Sequence, residues 1–316
     1  MEESVLNRRG FIKGAAASAA LLALGLKSEN LFAKDDFIKI TILHTNDVHS
    51  RIDPFPMDGG RNQGLGGVAP RAALINKIRS EEKNVLLFDA GDIFQGTPYF
   101  NFWGGELEIK MMSMMGYDAG IMGNHDFDNG VEGFAKQLTH ANFSVINSNY
   151  DFTDTDLHNK TIPYKIFKKG NVKIGVYGLG IDFEGLVNKK EYGNSKYLDA
   201  LKKALEMERF LKLDQKCHMV VCLSHLGYRY KEGNKICDVE LAKNTRYTDL
   251  IIGGHTHTFL RKPDSIRNLS GQEVLVNQVG FAGINLGRLD FVFSKNNHKK
   301  MVYSSAIEVV ENNFKI

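Results

Sequence analysis

The chain has 316 residues, of which 43% are hydrophobic, 24% charged and 10% aromatic, and its net charge is +3. That composition excludes an intrinsically disordered chain, a collagen-like fibre and a polytopic membrane protein. The charge is too small for a nucleic-acid binder, and the lysine pairs at 168–169, 189–190, 202–203 and 299–300 are scattered as solvated faces are.

Residues 1–33 read as a targeting segment and not as fold. Arg8 and Arg9 precede Phe11, Ile12 and Lys13, and a short apolar run follows at 15–26. A bilayer span takes about 20 apolar residues, so this run is too short to cross one. A basic region followed by a short apolar run is the order of an export signal, and Arg-Arg-x-Phe-Ile-Lys resembles the bacterial twin-arginine signal. A small-residue cleavage site after Ala33 would leave 34–316 as one exported, periplasmic domain. No Cys follows the run, so no stable membrane anchor is expected. Cys217, Cys222 and Cys237 are an odd set without a Cys-x-x-Cys pair, which does not suggest thiolate zinc. Buried free thiols are the simpler reading, with a Cys217–Cys222 disulfide as the alternative in an exported protein.

From residue 37 onward strands and helices alternate. A β-branched run at 37–45 ends in Asn46-Asp47. Helical spacing of Ala73, Leu74, Lys77 and Ile78 predicts a helix over 70–79, and 85–88 is a short apolar strand. A helix at 106–115 precedes a strand at 118–122, and Val131, Phe134, Ala135 and Leu138 form one apolar helical face. Strands are predicted at 143–147, 164–167 and 172–179, a long helix at 197–211, and buried strands at 219–224 and 250–252. After Gly271 the pattern becomes strands alone, at 273–279, 284–294 and 301–310. No repeat or linker divides the chain, and the pattern predicts one α/β domain with partly antiparallel sheet.

Five polar blocks follow apolar runs by zero to two residues. They are Asp47-Val48-His49, Gly91-Asp92, Gly123-Asn124-His125-Asp126, Ser224-His225, and Gly253-Gly254-His255-Thr256-His257. Ligands of open α/β sheets gather outside the carboxyl ends of strands, so these blocks can share one site although they are far apart in sequence. Asp, His and Asn without Cys suit Zn, Mn, Fe, Co or Ni. In Asp-x-His and His-x-His the two side chains project to the same side of an extended segment. Glycines before Asp92, Asn124 and His255 permit the close backbone approach a crowded site needs. The remaining histidines, His44, His140, His158, His218 and His298, carry no pattern. The aromatic run 99–103 beside the Asp92 block reads as core packing or a domain contact, or as a surface for base stacking or partner docking.

In this order the blocks resemble the calcineurin-like metallophosphoesterases. The longer stretches Leu43-His44-Thr45-Asn46-Asp47-x-His49, Gly91-Asp92-x-x-Gln95-Gly96-Thr97-Pro98, Gly123-Asn124-His125-x-Phe127-Asp128 and Gly253-Gly254-His255-x-His257 look like the 5′-nucleotidase branch, as does Gly66-Gly67-Val68-Ala69 before a helix. The resemblance implies a four-layer α-β-β-α sandwich of two mixed sheets. It implies two divalent metal ions, one held by Asp47, His49, Asp92 and His257, the other by Asp92, Asn124, His225 and His255. With two aspartates and a hydroxide against two divalent ions, such a cluster keeps about one positive charge for a phosphate. The resemblance also gives His125 the role of assisting the leaving group, with Asp128 as the carboxylate that holds its other nitrogen and Asp126 as the second choice. The structural alternative for Asp128 is a cap on the helix that follows.

The branch carries its nucleoside-holding residues in a second domain, and roughly sixty residues follow His257 here, enough for closing strands only. The expected function is therefore an exported phosphomonoesterase with a small phosphorylated substrate, a nucleotide, working as the catalytic module of a split 5′-nucleotidase. A separate nucleotide-binding protein would act in trans. The alternatives are a thiosulfohydrolase of sulfur oxidation and a metal-binding subunit without catalysis.

Overall fold

A computed structural model describes residues 37–231, 235–294 and 300–309. The twin-arginine segment and His298 lie outside the described residues. The strands are β1 (Phe37–Thr45), β2 (Val85–Asp89), β3 (Ala119–Gly120), β4 (Ser144–Val145), β5 (Tyr150–Asp151), β6 (Tyr164–Lys169), β7 (Val172–Leu179), β8 (Lys196–Tyr197), β9 (Met219–Ser224), β10 (Leu250–Gly253), β11 (Asp264–Arg267), β12 (Glu273–Asn277), β13 (Asn285–Ser294) and β14 (Lys300–Glu308). The helices are α1 (Val68–Glu81), α2 (Pro98–Trp103), α3 (Glu106–Met115), α4 (Gly130–Gln137), α5 (Lys189–Tyr192), α6 (Ala200–Arg209) and α7 (Asp238–Asn244).

Two six-stranded sheets form, in the orders β14-β13-β1-β2-β3-β4 and β11-β12-β10-β9-β7-β6. The first is parallel from β1 to β4 and carries the antiparallel strands β13 and β14 at one edge, and the second is parallel through β12, β10, β9 and β7 with antiparallel β11 and β6 at its two edges. Side-chain alternation explains how the sheets stack. Ile40, Ile42, Leu86 and Phe88 of the first sheet meet Ile174, Val176, Val221, Leu223 and Ile252 of the second in one buried layer. The opposite faces of the same strands bury Leu43, Val85 and Leu87 under α1, α3 and α4, and Val220, Cys222 and Ile251 under α6 and α7. Strands covered on both sides read as continuous apolar runs, which is why they were legible in sequence. The layers are therefore helix, sheet, sheet, helix, and the mixed α/β class is as expected.

The differences are local. The predicted helix at 197–211 begins only at Ala200, because the Asp199 side chain accepts the Lys202 backbone N–H at 2.7 Å and caps it there. Tyr197 pairs instead with Tyr150 in the small β5–β8 ribbon. Beyond Arg209 the chain continues into a π turn at Phe210–Asp214. Strand β11 escaped notice because it is a four-residue edge with only Ile266 apolar, and α7 because it is seven residues long. Cys217, Cys222 and Cys237 are free and buried, so the Cys217–Cys222 disulfide does not form, and burial raises the thiols of Cys217 and Cys222. Among the described residues no helix is long and apolar enough to cross a membrane.

His44 is a core residue of β1. It is fully buried, and the Asn277 amide donates to its Nε2 at 2.8 Å. Burial lowers its pKa from 6.5 to about 3, so it stays neutral in the fold and takes up a proton below about 6.5 only once unfolded. Stability linked to His44 is thus present above pH 6.5 and lost as pH falls toward 3. The variant His44→Gln should lose about 2 kcal/mol less stability than the parent between about pH 7 and pH 5 in urea titrations, and identical losses would refute the assignment.

Candidate metal centre

The five polar blocks leave the carboxyl ends of β1, β2, β3, β9 and β10. Register brings those ends level, with Thr45 beside Asp89, Asp89 beside Gly120 and Gly253 beside Ser224. The loops that follow meet where the two sheets face each other. Asp47, His49, Asp92 and His257 offer ligand atoms that all lie within 4.8 Å of one another, and Asp92, His225 and His255 form a second such group sharing Asp92. Asn124 joins the second group through its Oδ1, 2.8 Å from His255 Nδ1. His49 Nε2 is 3.0 Å from His257 Nε2 and 3.8 Å from Asp92 Oδ2, and His257 Nε2 is 3.4 Å from Asp47 Oδ1. All seven residues read from the sequence as ligand candidates are thus brought to one place.

The donor chemistry fits two divalent ions. Ala90 O can only accept, so the His225 Nδ1–H donates to it at 2.7 Å, and Nε2 is the nitrogen turned to the site. That Nε2 is buried and makes no hydrogen bond, yet it lies 3.1 Å from Asp92 Oδ2 and 4.0 Å from Asp47 Oδ1. Two sealed carboxylates facing this nitrogen call for a positive charge, which a proton on Nε2 or a metal cation would supply. The same demand appears in titration. Burial alone would lower His225, but Asp92, Asp47 and the Ala90 carbonyl overcome it and raise its pKa to about 10. Burial lowers His49, and burial with His225 lowers His255 to about 4, so both are neutral imidazoles with lone pairs to offer. Burial would raise Asp92, but His225, His49 and His125 hold it well below the usual carboxylate range.

Backbone hydrogen bonds lace the loops together. Asp47 N–H donates to Gly91 O at 2.9 Å, His49 N–H to Asp92 O at 3.0 Å, His255 N–H to Asp47 Oδ1 at 2.9 Å and His125 N–H to Asp92 Oδ1 at 2.8 Å. Five of the seven candidate ligands, Asp47, His49, Asp92, His255 and His257, have left-handed φ between 49° and 73°. Each such residue costs about 1–2 kcal/mol, so the surroundings must over-determine the shape. Gly123 shows how tight it is, since a Cβ there would lie 2.3 Å from Asp92 Oδ1.

Three bracing residues were not singled out as such from sequence. Asp126 is fully buried and accepts from the backbone N–H groups of Asp92, Ile93, Phe94 and Gly123 at 2.7–3.0 Å. It props the Asp92 loop and does not pair with His125. The Gln278 amide donates to Gly254 O and accepts from Thr256 and Thr258, fixing the loop that carries His255 and His257. Asn46 donates to Gly280 O at 2.6 Å and accepts from Val279 N–H at 3.0 Å. The available signal was a polar residue set in an otherwise apolar strand end, as Gln278 is.

His125 opens a 3₁₀ turn beside this cluster, its ring centroid 5.3 Å from that of His49. Its Nδ1 is 2.8 Å from Asp128 Oδ2. That hydrogen bond, against the opposing effect of burial, raises the His125 pKa. Asn129, not Asp128, occupies the cap position of α4. The aromatic run divides. Phe100 packs on Phe94 at 5.3 Å, Tyr99 donates to Asp53 at 2.7 Å, and Phe102 and Trp103 are exposed.

The calcineurin-like phosphoesterase family model matches residues 40–259. The snake venom 5′-nucleotidase of Gloydius brevicauda is 32% identical over 277 residues, 81% of this chain and 45% of that protein. The 5′-nucleotidase precursor of Thermus thermophilus superposes with a TM-score of 0.78 and 31% identity, over 87% of this chain and 55% of the other. A sulfate thiohydrolase, SoxB, superposes at 0.69 over 90% of this chain and 58% of that one, and at 18% identity it shows likeness of fold alone. The chain spans about half the length of these relatives. With the family model matching most of its length, the chain belongs to the calcineurin-like phosphoesterase family.

Proposed function

We propose that this protein is an exported phosphomonoesterase acting on nucleotides, with a dinuclear centre on Asp47, His49, Asp92, Asn124, His225, His255 and His257. The observation that carries the reading is the pair of ligand groups sharing Asp92, with the unsatisfied His225 Nε2 buried between its carboxylates. Two divalent ions held by these residues would activate water near neutral pH and neutralise phosphoryl charge. The chain's own residues do the rest. Asp92 bridges the two groups. Asn124 contributes an amide oxygen without a charge, which leaves the centre attractive to phosphate. Asp128 holds Nδ1–H of His125, so its Nε2 can protonate the departing alkoxide. An intact ligand set favours an enzyme over an idle binding subunit. Nucleotide specificity is supported by the 5′-nucleotidase relatives, and export by the Arg8-Arg9 motif and the apolar run after it.

The overall test is elemental analysis of the purified protein together with hydrolysis of nucleoside monophosphates before and after chelation. A metal-replete protein without phosphatase activity would sink the proposal. Asp92→Asn should lower kcat/KM by on the order of a hundredfold or more with the fold retained, and a change of only a few-fold would remove Asp92 from the bridging position. His125→Ala should lower kcat by about 10²–10³-fold while metal content stays that of the parent. Loss of metal from that variant would instead make His125 a ligand. For export, Arg8→Lys combined with Arg9→Lys should leave active enzyme inside the cell, and undiminished export of the double variant on fractionation would contradict the twin-arginine route.

A further inference from the structure

A groove of about 710 Å³ is lined in part by Phe281, a ring in contact with His257 of the centre. Arg61, Asn62, Phe259, Arg261, Phe281 and Asn285 line most of it, and no carboxylate is among its described lining residues. Two ring contacts lead into it from the metal cluster. His257 stacks on Phe281 with centroids 5.2 Å apart and planes 16° apart, and Phe281 meets Phe259 edge-on at 5.8 Å.

The wall of the groove is built on the same backbone as the centre. Ala282 N–H donates to Asp47 O at 2.7 Å, and Asn46 bonds both Val279 and Gly280. Phe259 lies over Gly280, where a Cβ would come within 2.2 Å of its ring, so only glycine lets the ring settle there. A bridge between Phe259 and Val279 fixes its backbone, yet the residue remains 48% exposed. A large aromatic ring held against backbone on one side and open on the other is a stacking platform. Arg61 and Arg261 are both exposed, and guanidinium groups without a competing carboxylate select anions such as phosphate.

We propose that this groove binds the distal half of an extended substrate, a nucleotide bearing a second phosphate. Its base stacks on Phe259 and its second phosphate meets Arg61 and Arg261, while the scissile phosphate sits at the metal centre. The inference rests on the phosphoesterase reading above and assigns its substrate class. It also gives this chain a nucleoside-binding surface of its own, beyond one supplied by a partner in trans.

The experiment compares a nucleoside 3′,5′-bisphosphate, the corresponding nucleoside 5′-monophosphate and glycerol phosphate as substrates of the holoenzyme. Glycerol phosphate carries neither a base nor a second phosphate and serves as reference. Combined Arg61→Gln and Arg261→Gln should raise KM for the bisphosphate about tenfold and for the monophosphate less than about twofold. Phe259→Ala should raise KM for both nucleotides about tenfold. Neither variant should alter glycerol phosphate hydrolysis. Calorimetric binding of the bisphosphate to chelator-treated protein should weaken in the same variants, which tests the groove without turnover. Parental KM values in both variants would overturn the inference. Absence of all hydrolysis by the parent, with binding still sensitive to Phe259 and the arginines, would fault the phosphoesterase reading and uphold the groove.

Discussion

Asp47 and Asp92 are sealed from solvent, at 0% and 1% exposure, at the ends of adjacent parallel strands. Two bare carboxylates so placed would each cost several kcal/mol in lost hydration. Much of the surrounding architecture answers that cost. Backbone N–H groups of His255 and His125 point at their oxygens, and a ring of imidazoles supplies the remaining contacts. The arrangement still falls short by the charge that a proton on His225, or a divalent ion, would bring. Affinity for metal is thus the residual electrostatic deficit of a site whose ligands are already in place.

Holding that deficit open requires a stiff frame. Left-handed backbone at five ligand positions is unfavourable locally, and the buried contacts of Asp126, Gln278 and Asn46 offset it. Asp126 ties together loops of the first sheet, Gln278 ties loops of the second, and Asn46 joins the two. Asn46 follows β1 and reaches Val279 and Gly280, which follow β12. The centre is therefore a joint between the sheets, and the apolar layer between them sets its dimensions. Neither sheet could carry the site alone, because each contributes only part of the ligand set.

The parts legible in sequence were those governed by local pattern. Doubly covered strands such as β7 and β9 announced themselves as apolar runs, and their ends matched closely. Candidate ligands were legible because a polar residue directly after such a run sits at a strand end, and strand ends of parallel sheets share one edge. What stayed hidden was set by tertiary contact. Asp126 was weighed as a partner of His125 because it is adjacent in sequence, yet the 3₁₀ turn directs it inward to four backbone N–H groups and leaves Asp128 facing the ring. Left-handed φ at Asp47 or His257 has no compositional signature, since glycine is the residue that ordinarily announces it. The groove was equally invisible, because Arg61 and Phe259 lie almost two hundred positions apart.

The contrast between centre and groove is itself informative. Metal-ligand chemistry needs fixed positions, and the candidate ligands are mostly buried and cross-braced. Recognition of the rest of a substrate tolerates exposed side chains, because stacking and guanidinium contacts accept a range of geometries. Phe281 stands at the boundary, with one neighbour in the metal cluster and another in the groove. Phe281 therefore links the candidate ligand that faces Asp47 to the groove by direct ring contacts. A family fold that fixes the chemistry thus leaves the adjoining loops free to differ in what they select.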